Sequence, residues 1–156
     1  MLFRSQILIA GTNAGLYKST NGGSSWLQKS SADTACSVAF DVNHAGYVYT
    51  SGNRVLKSTD NGETWSQVDL GSLGVQPPLT LVLDPASTDT VFLISFFPGS
   101  VGWSPDGGAN WVSLTNGLTG FLLGGNGSLS AIAKSNPEVL YVTSPNVGLV
   151  ALTLQH

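Results

Sequence analysis

A chain of 156 residues with 42% hydrophobic side chains is long enough to bury one core, yet its 10% charged content falls far below the roughly 25% of ordinary soluble domains. So little charge points to a surface partly committed to an interface. The formal net charge of −3 excludes the basic footprint of an electrostatic nucleic-acid binder, and the lone Cys36 excludes an intrachain disulfide. No apolar run approaches the roughly 20 residues of a membrane-spanning helix, so no membrane partner is expected. Residues 1–10 are too short and too soon interrupted for a signal peptide, so no export signal is expected and the compartment stays open.

In chain order, residues 6–11 and 15–19 form the first expected strands, followed by a Gly/Ser-rich reversal and an exit strand at 26–28. Residues 36–41, nearly all apolar or small, open a second unit with strands at 46–50, 55–58 and 65–68. A third unit begins at 79–84, continues at 90–94 and runs to about 115; the last has strands at 129–134, 139–143 and 148–154. β-Branched and aromatic residues dominate the second strand of each unit, as a sheet packed between sheets requires. No segment has a convincing helical period. The 19 glycines and 7 prolines suit short strands joined by tight turns. Residues 124–128, Gly-Gly-Asn-Gly-Ser, lack the Lys-Ser/Thr of a phosphate-cradling loop and read as a connection between units.

One motif, S-x-D/N-x-G-x-x-W, is written three times. The copies run from Ser19 through Asn21 and Gly23 to Trp26, from Ser58 through Asp60 and Gly62 to Trp65, and from Ser104 through Asp106 and Gly108 to Trp111. The tryptophans lie 39 and 46 residues apart, a period that marks one small β unit per copy. Physically the motif reads as a hairpin clasp: the side chain of the Asp or Asn accepts hydrogen bonds from backbone N–H groups, and glycine supplies the positive φ of the reversal. Each tryptophan opens the exit strand with a large apolar face to bury.

These octets resemble Asp-boxes, or BNR repeats, found in sialidases, xyloglucan-cutting endoglucanases, sortilin-type receptors and a photosystem II assembly factor. The resemblance implies an all-β propeller, with the box on the hairpin between the third and fourth strands of a blade. Over residues 1–156 it implies a single propeller domain of about four blades, at about 5–29, 36–69, 79–115 and 129–154. The two inner blades are complete and four-stranded, the two outer ones partial and three-stranded. Blades bury their faces only between neighbours. Because the partial blades overlap instead of completing each other, closure is expected through a four-bladed ring, a longer parent protein, or two chains building an eight-bladed ring, and the dimer is favoured.

The box acids read as structural clasps on separate blades, not as the paired carboxyls of a glycosidase, which stand about 5 to 10 Å apart. Asp41 and Asp84 each follow a first strand and are candidates for an acid pair flanking a groove or for turn initiation, Asp84-Pro85 being a common loop opener. The sialidase resemblance implies three arginines, whereas this chain holds Arg4 and Arg54, and its glutamates are Glu63 in a box and Glu138 in a turn. The xyloglucanase resemblance implies two catalytic aspartates between two propellers, more than this length holds. The assembly-factor resemblance implies an arginine patch that the composition does not supply. His44 and His156 lack metal spacing and Cys36 reads as a small core residue, so no metal or cofactor is expected. Trp103, which takes the place of Lys18 and Lys57 in the other repeats, is with Phe96 and Phe97 a candidate ligand platform or oligomer interface, and residues 121–123 invite the same reading. The expected function is a non-catalytic scaffold or protein-interaction module that self-associates. A glycan-binding propeller and a fragment of an Asp-box glycoside hydrolase are the alternatives.

Overall fold

A computed structural model of the chain describes residues 6–31, 34–71, 73–77, 79–87, 89–95, 99–114, 130–133, 139–144 and 148–153. Among the described residues, fourteen strands form four antiparallel sheets, each a simple meander in chain order. The first sheet holds β1 (Leu8–Thr12), β2 (Gly15–Ser19) and β3 (Leu27–Ser30); the second holds β4 (Ala35–Phe40), β5 (Val48–Gly52), β6 (Val55–Ser58) and β7 (Ser66–Gln67). The third comprises β8 (Leu79–Leu83), β9 (Val91–Ser95), β10 (Ser100–Ser104) and β11 (Val112–Ser113), and the fourth β12 (Ser130–Ala133), β13 (Val139–Ser144) and β14 (Gly148–Thr153).

The strands β5 and β9 start one or two residues later than the sequence pattern suggests. The Asp41 N–H donates to Tyr47 O and the Tyr47 N–H to His44 O, so Tyr47 closes the turn, and Gly46 adopts φ +88° within it. Asp84 N–H donates to Thr90 O in the same way. β7 and β11 are two residues long and exposed, as edge strands with a partner on one side should be.

Alternation along the strands gives each sheet a back face, toward the preceding sheet, and a front face, toward the next. Leu16 at the front of the first sheet meets Ala35, Leu56 and Trp65 of the second. Tyr49, Val55 and Val68 at the front of the second meet Leu79, Leu81, Val91 and Leu93 of the third. Phe92, Ile94 and Val101 at the front of the third meet Leu140 and Val142 of the fourth. The core is therefore three slabs between successive sheets, each built from aliphatic and aromatic side chains that contribute about 1.5–3 kcal/mol apiece when buried.

The tryptophans divide by neighbour. Trp65 packs against the slab between the first and second sheets, and Trp111 against the slab between the second and third. Trp26, on the first sheet, is 44% exposed.

Candidate functional site

The three boxes share one hydrogen-bond scheme. In the second, Ser58 Oγ accepts from Gly62 N–H at 2.8 Å and donates to Asp60 Oδ1 at 2.7 Å, while Asp60 Oδ1 also accepts from Glu63 and Thr64 N–H. In the third, Ser104 Oγ accepts from Gly108 N–H at 2.8 Å and donates to Asp106 Oδ1, which accepts from Asn110 N–H at 2.8 Å. In the first, Ser19 Oγ accepts from Gly23 N–H at 2.9 Å and Asn21 Oδ1 accepts from Ser25 N–H at 2.9 Å. Gly23, Gly62 and Gly108 adopt φ of +93°, +80° and +91°, a conformation that disfavours any residue with a Cβ.

The second side-chain atom of the clasp explains why Asn21 works. Thr64 Oγ donates to Asp60 Oδ2 at 2.6 Å, and Asn110 Nδ2 donates to Asp106 Oδ2 at 2.7 Å. At Asn21 the polarity reverses: its Nδ2 donates to Ser25 Oγ at 2.8 Å. A hydroxyl serves either role, so an amide replaces a carboxylate without stranding a polar atom.

These bonds hold Asp60 below the ordinary carboxylate range, led by the Thr64 side chain, and Asp106 likewise, led by the Asn110 side chain. A carboxylate so engaged stays ionised and spends its lone pairs on its own turn.

The boxes also receive lysines from the preceding sheet. Lys18 Nζ, on β2, meets Glu63 Oε1 of the second box at 2.6 Å, and Lys29 Nζ meets Glu63 Oε2 at 2.5 Å. Hydrogen bonds from both lysines, Lys18 first, hold Glu63 below its ordinary range. Lys57 Nζ, on β6, reaches Gly107 O of the third box at 3.1 Å and lies over the rings of Tyr47 and Tyr49. Tyr49 Oη donates to the same carbonyl at 3.2 Å. Nothing in the sequence spacing announces that Glu63 holds two lysines. The recurrence of lysine at the position before the box serine was the available signal. A groove of about 460 Å³ beside the triad is lined by Lys18, Thr20, Ser25, Trp26, Leu27, Lys29 and Glu63.

Asp41 and Asp84 occupy matching turns but different settings. Asp41 accepts from Asn43 N–H at 2.8 Å and faces His44 Nδ1 at 2.9 Å, an arrangement that makes Nδ1–H the donor. Burial pulls the Asp41 carboxyl upward, but hydrogen bonds from the His44 ring and the Asn43 and His44 backbones outweigh it, so the group lies below its ordinary value. His44 stacks on Tyr47 and lies 3.9 Å from Asp89 Oδ1, a contact that sequence reading missed. Asp84 is buried, with Oδ1 bonded to Ala86 N–H and, among the described residues, no hydrogen-bond partner at Oδ2. Each carboxylate thus accepts from the backbone N–H two residues on, and Asp41 also pairs with His44.

Trp103 is half-buried and packs against the core slab between the third and fourth sheets. Phe96, Phe97, residues 121–128, His156 and the Cys36 side chain lie outside the described residues. Among the described residues, no group of three or more His, Cys, Asp and Glu is arranged to hold a metal ion.

The fold matches part of several known propellers. An ancestral GH74 enzyme is 20% identical, with a TM-score of 0.65 over 97% of this chain and 24% of its own. The structure of YCF48 bound to D1 peptide is 19% identical, with a TM-score of 0.61 over 100% of this chain and 54% of its own. The GH74 xyloglucanase from Xanthomonas campestris is 16% identical, with a TM-score of 0.60 over 96% of this chain and 28% of its own. The chain therefore spans about half the length of that YCF48 and about a quarter of the GH74 enzymes. No curated protein sequence matches it. The family described as photosynthesis system II assembly factor YCF48 matches residues 3–149. With the boxes, the meander sheets and that match together, the chain belongs to the YCF48 family of BNR-repeat propellers.

Proposed function

We propose that this chain is a four-bladed arc of a BNR propeller that acts as a non-catalytic, protein-binding scaffold and closes its ring by self-association, with a dimer as the favoured form. The observation that carries the non-catalytic part is the state of the acids. Asp60 and Asp106 are engaged within their own hairpins, and Asp41 is engaged by His44. Protein as the ligand class is supported by YCF48, which has been seen bound to a D1 peptide. Glycan binding through Trp103, the alternative, is less favoured because that ring is half-buried in the core.

Light scattering on a sizing column over a range of concentrations tests the closure: the expected species is a dimer near twice 16.2 kDa. A glycan array and a reducing-end assay on xyloglucan test the rest. Array hits lost in Trp103→Ala, or hydrolysis abolished by Asp41→Asn or Asp84→Asn, would overturn the scaffold reading.

A further inference from the structure

Resting on the protein-binding reading above, we infer that the groove between the first sheet and the second box is an anion subsite, and that it receives a carboxylate side chain from an acidic segment of a partner protein. Counted from the box serines, Lys18, Lys29 and Glu63 correspond to Lys57, Val68 and Ala109 at the next junction. There Lys57 turns onto Gly107 O and the rings of Tyr47 and Tyr49, and Val68 is buried beside Gly108. At the first junction Ile9 pairs with Lys18 where Tyr49 pairs with Lys57, so this lysine meets an aliphatic partner instead of a phenol ring and takes Glu63. Lys29 stands where the next junction has an apolar side chain, and both lysines line a groove of about 460 Å³. That volume lies within the roughly 300–1,000 Å³ of ligand pockets.

The charges at this groove do not balance. Glu63 spends one oxygen on each lysine, so one carboxylate faces two ammonium groups and a positive charge is left over. Among the described residues no other carboxylate forms an ion pair with either lysine. An ammonium has three N–H donors, so each lysine can give Glu63 one and still donate to a second carboxylate. Lys18 is 4% exposed, and a charge so shielded from water attracts an incoming anion more strongly than a surface lysine does.

An acidic peptide suits the groove better than a free ion because Leu27, paired with Lys18 across the sheet, lines it as well and is 63% exposed. Its counterparts Ser66 and Val112 are also exposed, so the position is open because it lies on an outer strand. An apolar residue beside the entering acid therefore finds an apolar contact.

The test probes an array of random hexapeptides with the full chain. The chain is then titrated by nuclear magnetic resonance with two capped peptides, alternating Glu-Leu and alternating Gln-Leu, following the Leu27 methyl signals. Acidic sequences should be enriched on the array, and the Glu-Leu peptide should bind at least about tenfold tighter than the Gln-Leu peptide. The preference should shrink at about 1 M salt. Lys29→Met should weaken the Glu-Leu peptide about tenfold, with Lys29→Gln in reserve should the first variant fail to fold by circular dichroism. Glu63→Gln frees both lysines from their internal carboxylate and should tighten the same peptide several-fold; a purely structural ion pair gives no such gain, and its absence overturns the inference. Array hits without acidic bias leave protein binding standing but overturn this subsite. An array without hits counts against both readings. Inorganic phosphate that displaces the Glu-Leu peptide at equal concentration makes this a small-anion site and overturns the peptide assignment.

Discussion

Ser58 offers a direct measure of what a box clasp contributes. Its side chain is 1% exposed and makes contacts in three directions, accepting from Gly62 and Asp60 N–H and donating to Asp60 Oδ1. Ser58→Ala leaves the buried Gly62 N–H unpaired at a cost of about 1–3 kcal/mol and removes hydrogen bonds worth about 1 kcal/mol net. The expected loss is about 2–4 kcal/mol, a large share of the roughly 5–15 kcal/mol that holds a domain folded. Urea unfolding followed by tryptophan fluorescence should show the midpoint falling at constant slope. Ser66→Ala is the control, because that exposed hydroxyl donates to Lys57 O at 3.2 Å and its loss should stay within about 0.5 kcal/mol. If the two variants prove equally stable, the box is not a clasp and the reasoning fails.

Acid should probe the same sites. Asp60 and Asp106 are depressed below their ordinary 3.8 when folded, so their contribution is present above that value and drains away as pH falls through the folded values. The thermal midpoint should drop below pH about 4, and Asp60→Asn, which copies Asn21, should flatten the drop; an unaltered acid limb counts against the assignment. Burial first, then the charges of Asp41 and Asp89, raise the Tyr49 phenol above its ordinary 10.0. Its stabilising effect is thus full below that value and lost as pH rises through the folded value, and the difference in ultraviolet titration between the protein and Tyr49→Phe should show the Tyr49 phenol ionising only with alkaline unfolding. Ionisation of Tyr49 in the folded protein at its ordinary value would contradict it. Finally, Glu63→Gln should lower the thermal midpoint at low salt by releasing Lys18 and Lys29, with the difference shrinking at about 1 M salt. A loss of the same size in high salt would assign the effect to packing.

The boxes, the meander strands and the family were all legible because their causes are local. Ser58 and Asp60 act on partners within four positions, so the eight letters of a box contain nearly all its hydrogen-bonding partners. Asn21 was readable as a clasp for the same reason, although its reversed bond to Ser25 needed atomic positions. The lysine contacts were not readable: Lys18 meets Glu63 across 45 positions and Lys57 meets Gly107 across 50. Three nearly identical tryptophans receive different burial, and Trp103, which resembles an exposed platform on paper, lies against a core slab. The sequence alone determined which residues turn the chain and which alternate along a strand, because those preferences are set within a few residues. The tertiary structure decided which apolar faces are covered, because burial depends on whether another sheet stands beside them, and that is a property of how separate sheets pack and not of any one of them.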